Sequence, residues 1–597
     1  MEYLKEIIRR SAKGIAIAGY RFPLTVASLL VATLIVFRLI AIDTSLPLIL
    51  EKLIFTFMVG AFIGVAAQFV VERFANLSEK RLLVYAVALL LLAGYFLILL
   101  SAPEISNEIT VRSFVAIFAL VCMALWIPSY KSDVDFNMVA LVHFKGVFTS
   151  LLYSGVIAAG TSAIIAAIDT LLFSVDGDAY WYTLTVIWIL FAPVYYLSLL
   201  PKFNSQLNED KDMAERASNY PKFLEILVSY IAIPLISAYT AVLMAYFLKI
   251  LFTLTWPSGQ IGPMVLVYSI AGLVIFILAS LLDNRFAAFY LRFFPKVLIF
   301  VVIMQLISVG IRLYHYGITE SRYYVGIFGI FSIIAGILLS RSPVSKNGRI
   351  ALLVAVFAII SIIPPVDAFT VSRHSQINRI ESILADEGML TNGEITKKED
   401  ASEYTKIETT NILNYLNRSS SLKYIDWLPE DFEVYEDLKQ VFGFAPTYPN
   451  YVDDGRQYFY VSLDGETPLP IAGYDVLLNA FVGNYREATE ILSQEFDLDG
   501  SLYKMEINGI GNNEAYISIL DPLGNELIGT GINQFIEQIA GEEPVMKDRL
   551  SPDELSFTVN NNGYKLKIIF QNINYSSVDG IVSDLNYSIY VLFASTK

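Results

Sequence analysis

Eleven stretches of this sequence are apolar enough and long enough to cross a lipid bilayer, and that repetition limits the fold more than any other feature. A spanning helix needs about 20 mostly apolar residues, with a range of roughly 17–25. Such runs fall at approximately 24–42, 53–71, 82–100, 114–127, 147–173, 181–200, 224–252, 264–282, 297–311, 323–339 and 350–363. The fourth, ninth and eleventh are short and are expected to extend into the flanking interface. Pro234 lies inside the seventh, where its missing N–H predicts a kink. Helix is the expected state of every run, because backbone polar groups in lipid must be satisfied within the segment. The composition agrees: 55% of the 597 residues are hydrophobic and only 17% are charged, against about 25% charged in soluble domains.

Charge divides the chain in two. Residues 1–365 carry a net charge of +6 and residues 366–597 a net charge of −21. Lys and Arg are also sorted among the loops. Counted from the N-terminal segment through every second loop, twenty lie on one side. Only four, Lys52, Arg112, Arg312 and Arg322, lie on the other. The positive-inside rule therefore predicts a cytoplasmic N-terminus, and eleven spans place the acidic C-terminal domain outside. Residues 1–22 read as a basic interfacial segment, and 285–294, which mix Arg with Phe and Tyr, read as a second one. The first apolar run is followed by Arg38 and Asp43 rather than a small-residue cleavage site, so it is not expected to be a removable signal peptide.

The expected organisation is mainly α: a transmembrane helical bundle over 23–365, an amphipathic helix and linker over 366–402, and a soluble extracytoplasmic α+β domain over 403–597. Ile377, Ile380 and Leu384 set the helical spacing of 371–384. Helices are expected near 403–417, 431–441 and 476–494. Strands are expected at 458–463, 515–520, 526–529 and 586–593, with a hairpin of Phe557 and Val559 against Tyr564–Phe570. Asp521-Pro522-Leu523-Gly524 is a turn signal.

Candidate functional residues come first from charge inside the spans, which is costly and often functional. Arg38, Asp169 and Lys249 qualify. A buried pair of Asp169 with Lys249 or Arg38 would line a polar cavity, whereas snorkelling toward the headgroups would account for all three without function. In the outer loop 312–323, Arg312, Glu320 and Arg322 form a ligand candidate, since Arg forks match the oxygens of an anionic lipid headgroup. A tyrosine belt with an Arg–Glu pair is the plainer account of the same loop. Polar residues Gln68, Thr161 and Gln305 are scattered through other spans.

Several chemistries are disfavoured. No phosphate-binding lysine loop, HExxH or dinucleotide fingerprint is present. The one cysteine, Cys122, allows no intrachain disulfide or cysteine metal cluster. Asp497-Leu498-Asp499-Gly500 opens like a calcium loop but lacks the closing Glu, which leaves a turn. His374 is the one histidine after residue 365, which speaks against a Ser-His-Asp hydrolase there. No metal or cofactor is expected, and an acidic outer domain disfavours nucleic acid.

Five short segments carry a resemblance: Arg21-Phe22-Pro23-Leu24-Thr25, Trp256-Pro257-Ser258-Gly259, Arg292-Phe293-Phe294-Pro295, residues 312–323 (RLYHYGITESRY), and Val371-Ser372-Arg373-His374-Ser375-Gln376. Through them the chain resembles a bacterial membrane family catalogued as domain-of-unknown-function family 4153, over roughly residues 20–395. The resemblance implies a polytopic membrane protein and supplies no active residues. The leading expectation is a non-enzymatic cell-envelope sensor, scaffold or interaction protein, with the bilayer, an anionic lipid or an envelope protein as partner. A transporter or flippase-like protein is the alternative. A membrane glycosyltransferase using lipid-linked sugar ranks third, because Asp43 and Glu51 stand far apart in the short first outer loop.

Overall fold

Each of the eleven apolar runs folds as helix in the computed structural model, which describes residues 14–42, 47–205, 207–253, 261–429, 431–448, 456–465, 467–483, 491–509, 515–541, 549–561, 563–578 and 581–595. The spans are α1 (Pro23–Ile40), α2 (Leu48–Arg73), α3 (Arg81–Ser101), α4 (Asn107–Trp126), α5 (Phe136–Leu171), α6 (Asp178–Ser198), α7 (222–253), α8 (Ile261–Ala279), α9 (Arg285–Tyr316), α10 (Glu320–Arg341) and α11 (Gly348–Ile360). The first ten are long and apolar enough to cross a membrane. The eleventh has 13 residues, about 20 Å of helix. Its chain still traverses the bundle. Gly348 sits against Phe136 and Ser129 just beyond one end of α4, and Asp367 bonds Arg112 near the other. Those two levels are about 26 Å apart along α4 at 1.5 Å per residue.

Local chemistry sets several helix boundaries. Ser106, Asp135 and Asn284 accept N-terminal amide protons of α4, α5 and α9, as N-cap side chains do. Residues 285–294, expected as a separate interfacial segment, are instead the first turns of the 32-residue α9, with Pro295 inside the helix. At Pro234 the seventh span departs from regular α-helix. A π-helical turn, Leu227–Ala232, stands immediately before Ile233-Pro234. The same device recurs in α6, where the π turn Val186–Phe191 precedes Ala192-Pro193. Each proline lacks the N–H that would continue the α ladder, and a wider turn accommodates the gap.

Two apolar clusters hold the bundle. One joins Phe22, Phe69, Val142, Val194 and Leu197 across α2, α5 and α6. The larger one runs through α7–α10 and includes Phe247, Phe276, Phe294 and Val302. Close approach of α1 and α2 depends on Gly64, where a Cβ would meet Thr25 Oγ1 at 2.5 Å and its backbone N at 2.7 Å. Without a strong hydrophobic drive in lipid, such small-residue contact is what packs helices.

Hydrogen bonds sort the loops into two ends. At the basic end, Arg73 donates to the Tyr130 carbonyl (2.6 Å), Asn204 to Pro128, Asn137 to Val344, Asn347 to Ser280 and Lys145 to Ala217. These loops carry the surplus of Lys and Arg, and the sequence groups them in the same way. Residues 368–442, after α11, lie at the opposite end. There α12 (Ala368–Asp386), the hairpin β1 (Leu390–Thr391) and β2 (Glu394–Ile395), α13 (Glu403–Arg418) and α14 (Val434–Phe442) share a core of Ile380, Leu384, Leu413, Leu438 and Phe442. This helical layer belongs to the same compact unit as the bundle, Met1–Pro446. By compactness the chain divides between Pro446 and Thr447.

The second unit, Thr447–Lys597, is built of two sheets. One has the path β4 (Val476–Val482), β12 (Ile581–Ser595), β11 (Tyr564–Val578), β3 (Arg456–Leu463) and β9 (Arg549–Leu550), with β10 (Ser556–Asn561) also paired to β11. The other is a meander of β5 (Leu492–Leu498), β6 (Ser501–Asn508), β7 (Tyr516–Leu520) and β8 (Glu526–Gly531). Leu566, Ile568 and Phe570 alternate inward along β11, and a bulge between Phe570 and Asn572 shifts the phase so that Ile573 also points inward. They pack with Met505, Ile507, Ile517 and Ile519 of the meander and with Ile536 of α15 (Asn533–Gly541). The helix expected at 476–494 is not formed. Val476–Val482 is strand β4, with Leu478, Ala480 and Val482 buried on alternate positions, and β5 starts at Leu492. Residues 484–490 lie outside the described residues. Asp499 (φ 52°) and Gly500 (φ 78°) make the two-residue turn between β5 and β6, the type I′ geometry that suits a hairpin.

Candidate functional site at the end opposite the basic loops

The helical layer is fastened to the bundle by a row of polar contacts. Asp367, wholly buried, caps α12 through the amides of Phe369 and Thr370 and accepts from Arg112 of α4 at 2.9 Å. Burial pulls its carboxyl up, but the hydrogen bonds of Thr370 and Arg112 outweigh this and hold it below its ordinary value. Arg112 also pairs with Glu108 (2.7 Å), and Glu108 with Arg373 of α12 (3.2 Å). The Arg373 guanidinium lies 3.9 Å from the centroid of the Tyr424 ring, a cation–π arrangement. Next to this row, Ser375 accepts from the Ile318 amide at 2.9 Å, and Gln376 donates to the carbonyls of Tyr316 (3.0 Å) and Ile318 (2.9 Å). Gly317, between them, has φ +66°, and a Cβ there would stand 2.9 Å from Gln376 Nε2. The turn between α9 and α10 thus needs glycine twice over, for its conformation and for the approach of α12.

Glu320 opens α10 and accepts from Tyr415 of α13 at 2.5 Å. Burial and the Glu320 carboxylate push the Tyr415 phenol well above its ordinary range. Within the layer, Glu387 accepts from Lys398 (2.6 Å), Ser402 (2.8 Å) and Thr405 (2.9 Å). These bonds, Lys398 foremost, bring its carboxyl down to about 2. An open polar cleft of about 610 Å³ lies beside this cluster, lined by His315, Ser375, Arg379, Asp386 and Thr405 among others. Among the described residues no group of three or more His, Cys, Asp or Glu side chains is placed to hold a metal ion.

The residues singled out from the sequence fall into two sets. Arg38, Asp169 and Lys249 are all exposed near helix ends, and none joins an ion pair among the described residues. Asp169 instead accepts from the Val175 amide at 2.7 Å. Of the outer-loop residues, Arg322 and Glu320 each have a hydrogen-bond partner. Arg322 donates to the carbonyls of Tyr316 (3.1 Å) and Gly317 (2.9 Å), and the charges of Arg312 and Arg379 bear on it. Glu320 is engaged by Tyr415 rather than by an arginine. The motif at 256–259 lies outside the described residues.

Sequence reasoning passed over a second network, at the basic end. Arg21 forks onto both Glu72 oxygens (2.7 and 2.8 Å) and donates to the carbonyls of Leu200 and Pro201. Gln68 donates to Glu72, and Tyr85 to Gln68, each at 2.8 Å. Nearby, His143 shares a 2.5 Å hydrogen bond with Tyr196 and stacks on Phe203. The available signal was Glu72 itself, an acid ending a span directly before Arg73. A count of positive charges alone gives it no weight.

These features define the class: a polytopic helical membrane protein carrying a polar-fastened helical layer and a β-rich unit after it. Residues 25–392 match the family described as Domain of unknown function (DUF4153), and the chain belongs to that family. It is also similar, at 24% identity over 209 residues, to an uncharacterized protein of Pasteurella multocida (strain Pm70). That alignment takes in 35% of this chain and 34% of the relative, so the chain spans about a third of that relative's length. No solved structure matches the chain.

Proposed function

We propose that this protein is a non-enzymatic component of a bacterial cell envelope, a sensor, scaffold or interaction protein whose basic loops face the cytoplasm and whose acidic C-terminal region faces outward. The observation that carries this reading is the fastening of α12 and α13 to the ends of α4, α9 and α10 at the end with few Lys and Arg. A partner engaged on the acidic side would act on the spans through Asp367–Arg112, Arg373–Glu108 and Tyr415–Glu320. The loop sorting supports the orientation.

Single-cysteine variants test it directly, because Cys122 is buried. In intact cells a membrane-impermeant maleimide should label Asn417→Cys and spare Asp133→Cys. The reverse pattern would overturn the orientation and the role together. A photo-crosslinker in place of the exposed Phe481 of β4 should capture an envelope protein in living cells, and a clean blank counts against the interaction role.

A second reading, transport or lipid flipping, is favoured by one observation: the paired π turns ahead of Pro193 and Pro234. Such turns give two spans a point at which the ladder can rearrange. Lipid-flip and solute-uptake assays in proteoliposomes decide it, and rates equal to those of empty vesicles dismiss it.

A further inference from the structure

Two clefts meet along one pair of helices. On α4, Asn107, Val111, Val115 and Phe118 follow one another at helical spacing. On α10, Glu320, Tyr324, Ile327 and Phe331 do the same. The first residues of both rows line a cleft of about 340 Å³ that carries the charges of Glu320 and Arg418 and is bordered also by Tyr415 of α13. The later residues line an apolar groove of about 200 Å³, completed by Phe357 and Ala358 of α11. Tyr324 belongs to both. Its hydroxyl is buried at the seam beside Ser361, which gives its own proton to the Ala358 carbonyl at 2.7 Å. Phe118 on the groove wall is half exposed, so the groove opens sideways, where acyl chains lie.

A site that is charged at headgroup depth and apolar beneath has the outline of an amphiphile, with a tyrosine at the boundary where that side chain is favoured. The charges narrow the choice. Arg418 is exposed and donates through Nε to the Asn414 carbonyl (3.3 Å); among the described residues its two terminal nitrogens make no other hydrogen bond, and that end of the fork suits phosphate oxygens. Glu320 offers carboxylate oxygens, one of them already shared with Tyr415. One cation and one anion in the same cleft complement a headgroup that carries both signs.

We propose that this composite cleft binds a zwitterionic phospholipid of the phosphatidylethanolamine type, phosphate toward Arg418, ammonium toward Glu320, and one acyl chain in the groove beneath Tyr324. The site would work in either orientation of the protein, so its failure and the failure of the envelope reading are separable.

Native mass spectrometry of the purified full-length protein in detergent tests it, with phosphatidylethanolamine, phosphatidylglycerol of the same chains, and inorganic phosphate as probes. Phosphatidylethanolamine should bind saturably and more tightly than phosphatidylglycerol, and inorganic phosphate should not compete. Ala358→Trp, which fills the groove, and Arg418→Glu, which inverts the cation, should each weaken binding about tenfold or more. Val356→Trp, on the exposed face of the same helix, should leave it unchanged. Equal affinity in wild type and both cleft variants overturns the site, and so does tighter binding of phosphatidylglycerol. Where Ala358→Trp fails to give a monodisperse protein, Arg418→Glu decides alone.

Discussion

The two ends of the bundle use the same residue types in opposite settings. At the basic end, Arg21 and Glu72 are sunk among helices, their side chains 7% and 14% exposed, and Arg21 ties the start of α1 to α2 and to the chain just after α6. At the opposite end, Arg112 and Glu108 are 29% and 23% exposed, and the contacts tie the spans to a layer added after them. The first arrangement resists water and salt, because few counter-charges reach it. The second is open to them in part: Arg112 and Glu108 meet water, while Asp367 beside them is wholly buried.

That contrast is sharpest under mutation. Glu72→Ala would leave the Arg21 guanidinium buried with only carbonyl partners, and removing one member of a buried pair costs about 3–5 kcal/mol. Thermal unfolding in detergent should show this as a larger loss than Asp367→Ala or Glu387→Gln. A loss no greater than at the other end would erase the distinction between the two. Asp367→Ala removes an N-cap and a charge-assisted bond together, for a loss of about 2 kcal/mol. Limited proteolysis should then cut within α12–α13 while the spans stay protected. Uniform protection would mean that the fastening does not depend on this residue. The smallest effect is at Glu387. Its carboxyl is depressed in the folded protein from 4.5 to about 2. The stability it contributes is therefore complete above about pH 4.5 and lost as pH falls toward 2. Glu387→Gln should flatten the acid unfolding curve between those values, and an unchanged slope would show that the Lys398 and Ser402 bonds matter little.

Much of the architecture was legible because its signals are local and repeated. Apolar runs and loop charges gave the spans and the grouping of their loops. The spacing of Ile377, Ile380 and Leu384 gave α12, and period-two alternation gave the hairpin of β10 and β11. The misreading at 476–494 has a local cause too. Val-Leu-Leu-Asn-Ala-Phe-Val is a short apolar run that fits helix or strand, and only pairing with β12 settles it. The loop of Arg312, Glu320 and Arg322 was visible as a cluster, yet Glu320 takes its partner from Tyr415, 95 positions away. Arg21 and Glu72 are 51 positions apart, and no spacing rule joins them.

What the sequence settles by itself is what depends on solvent preference and chain periodicity: which runs are apolar helices, which loops share an end, and where strands alternate. Hydrophobic transfer acts residue by residue, so composition along the chain is enough to read it. Which charges pair, where the helical layer seats, and how a polar cleft comes to lie above an apolar groove were decided by the tertiary structure alone. Those contacts link residues tens to hundreds of positions apart, and directional hydrogen bonds form only once packing has set the helices' rotation and depth.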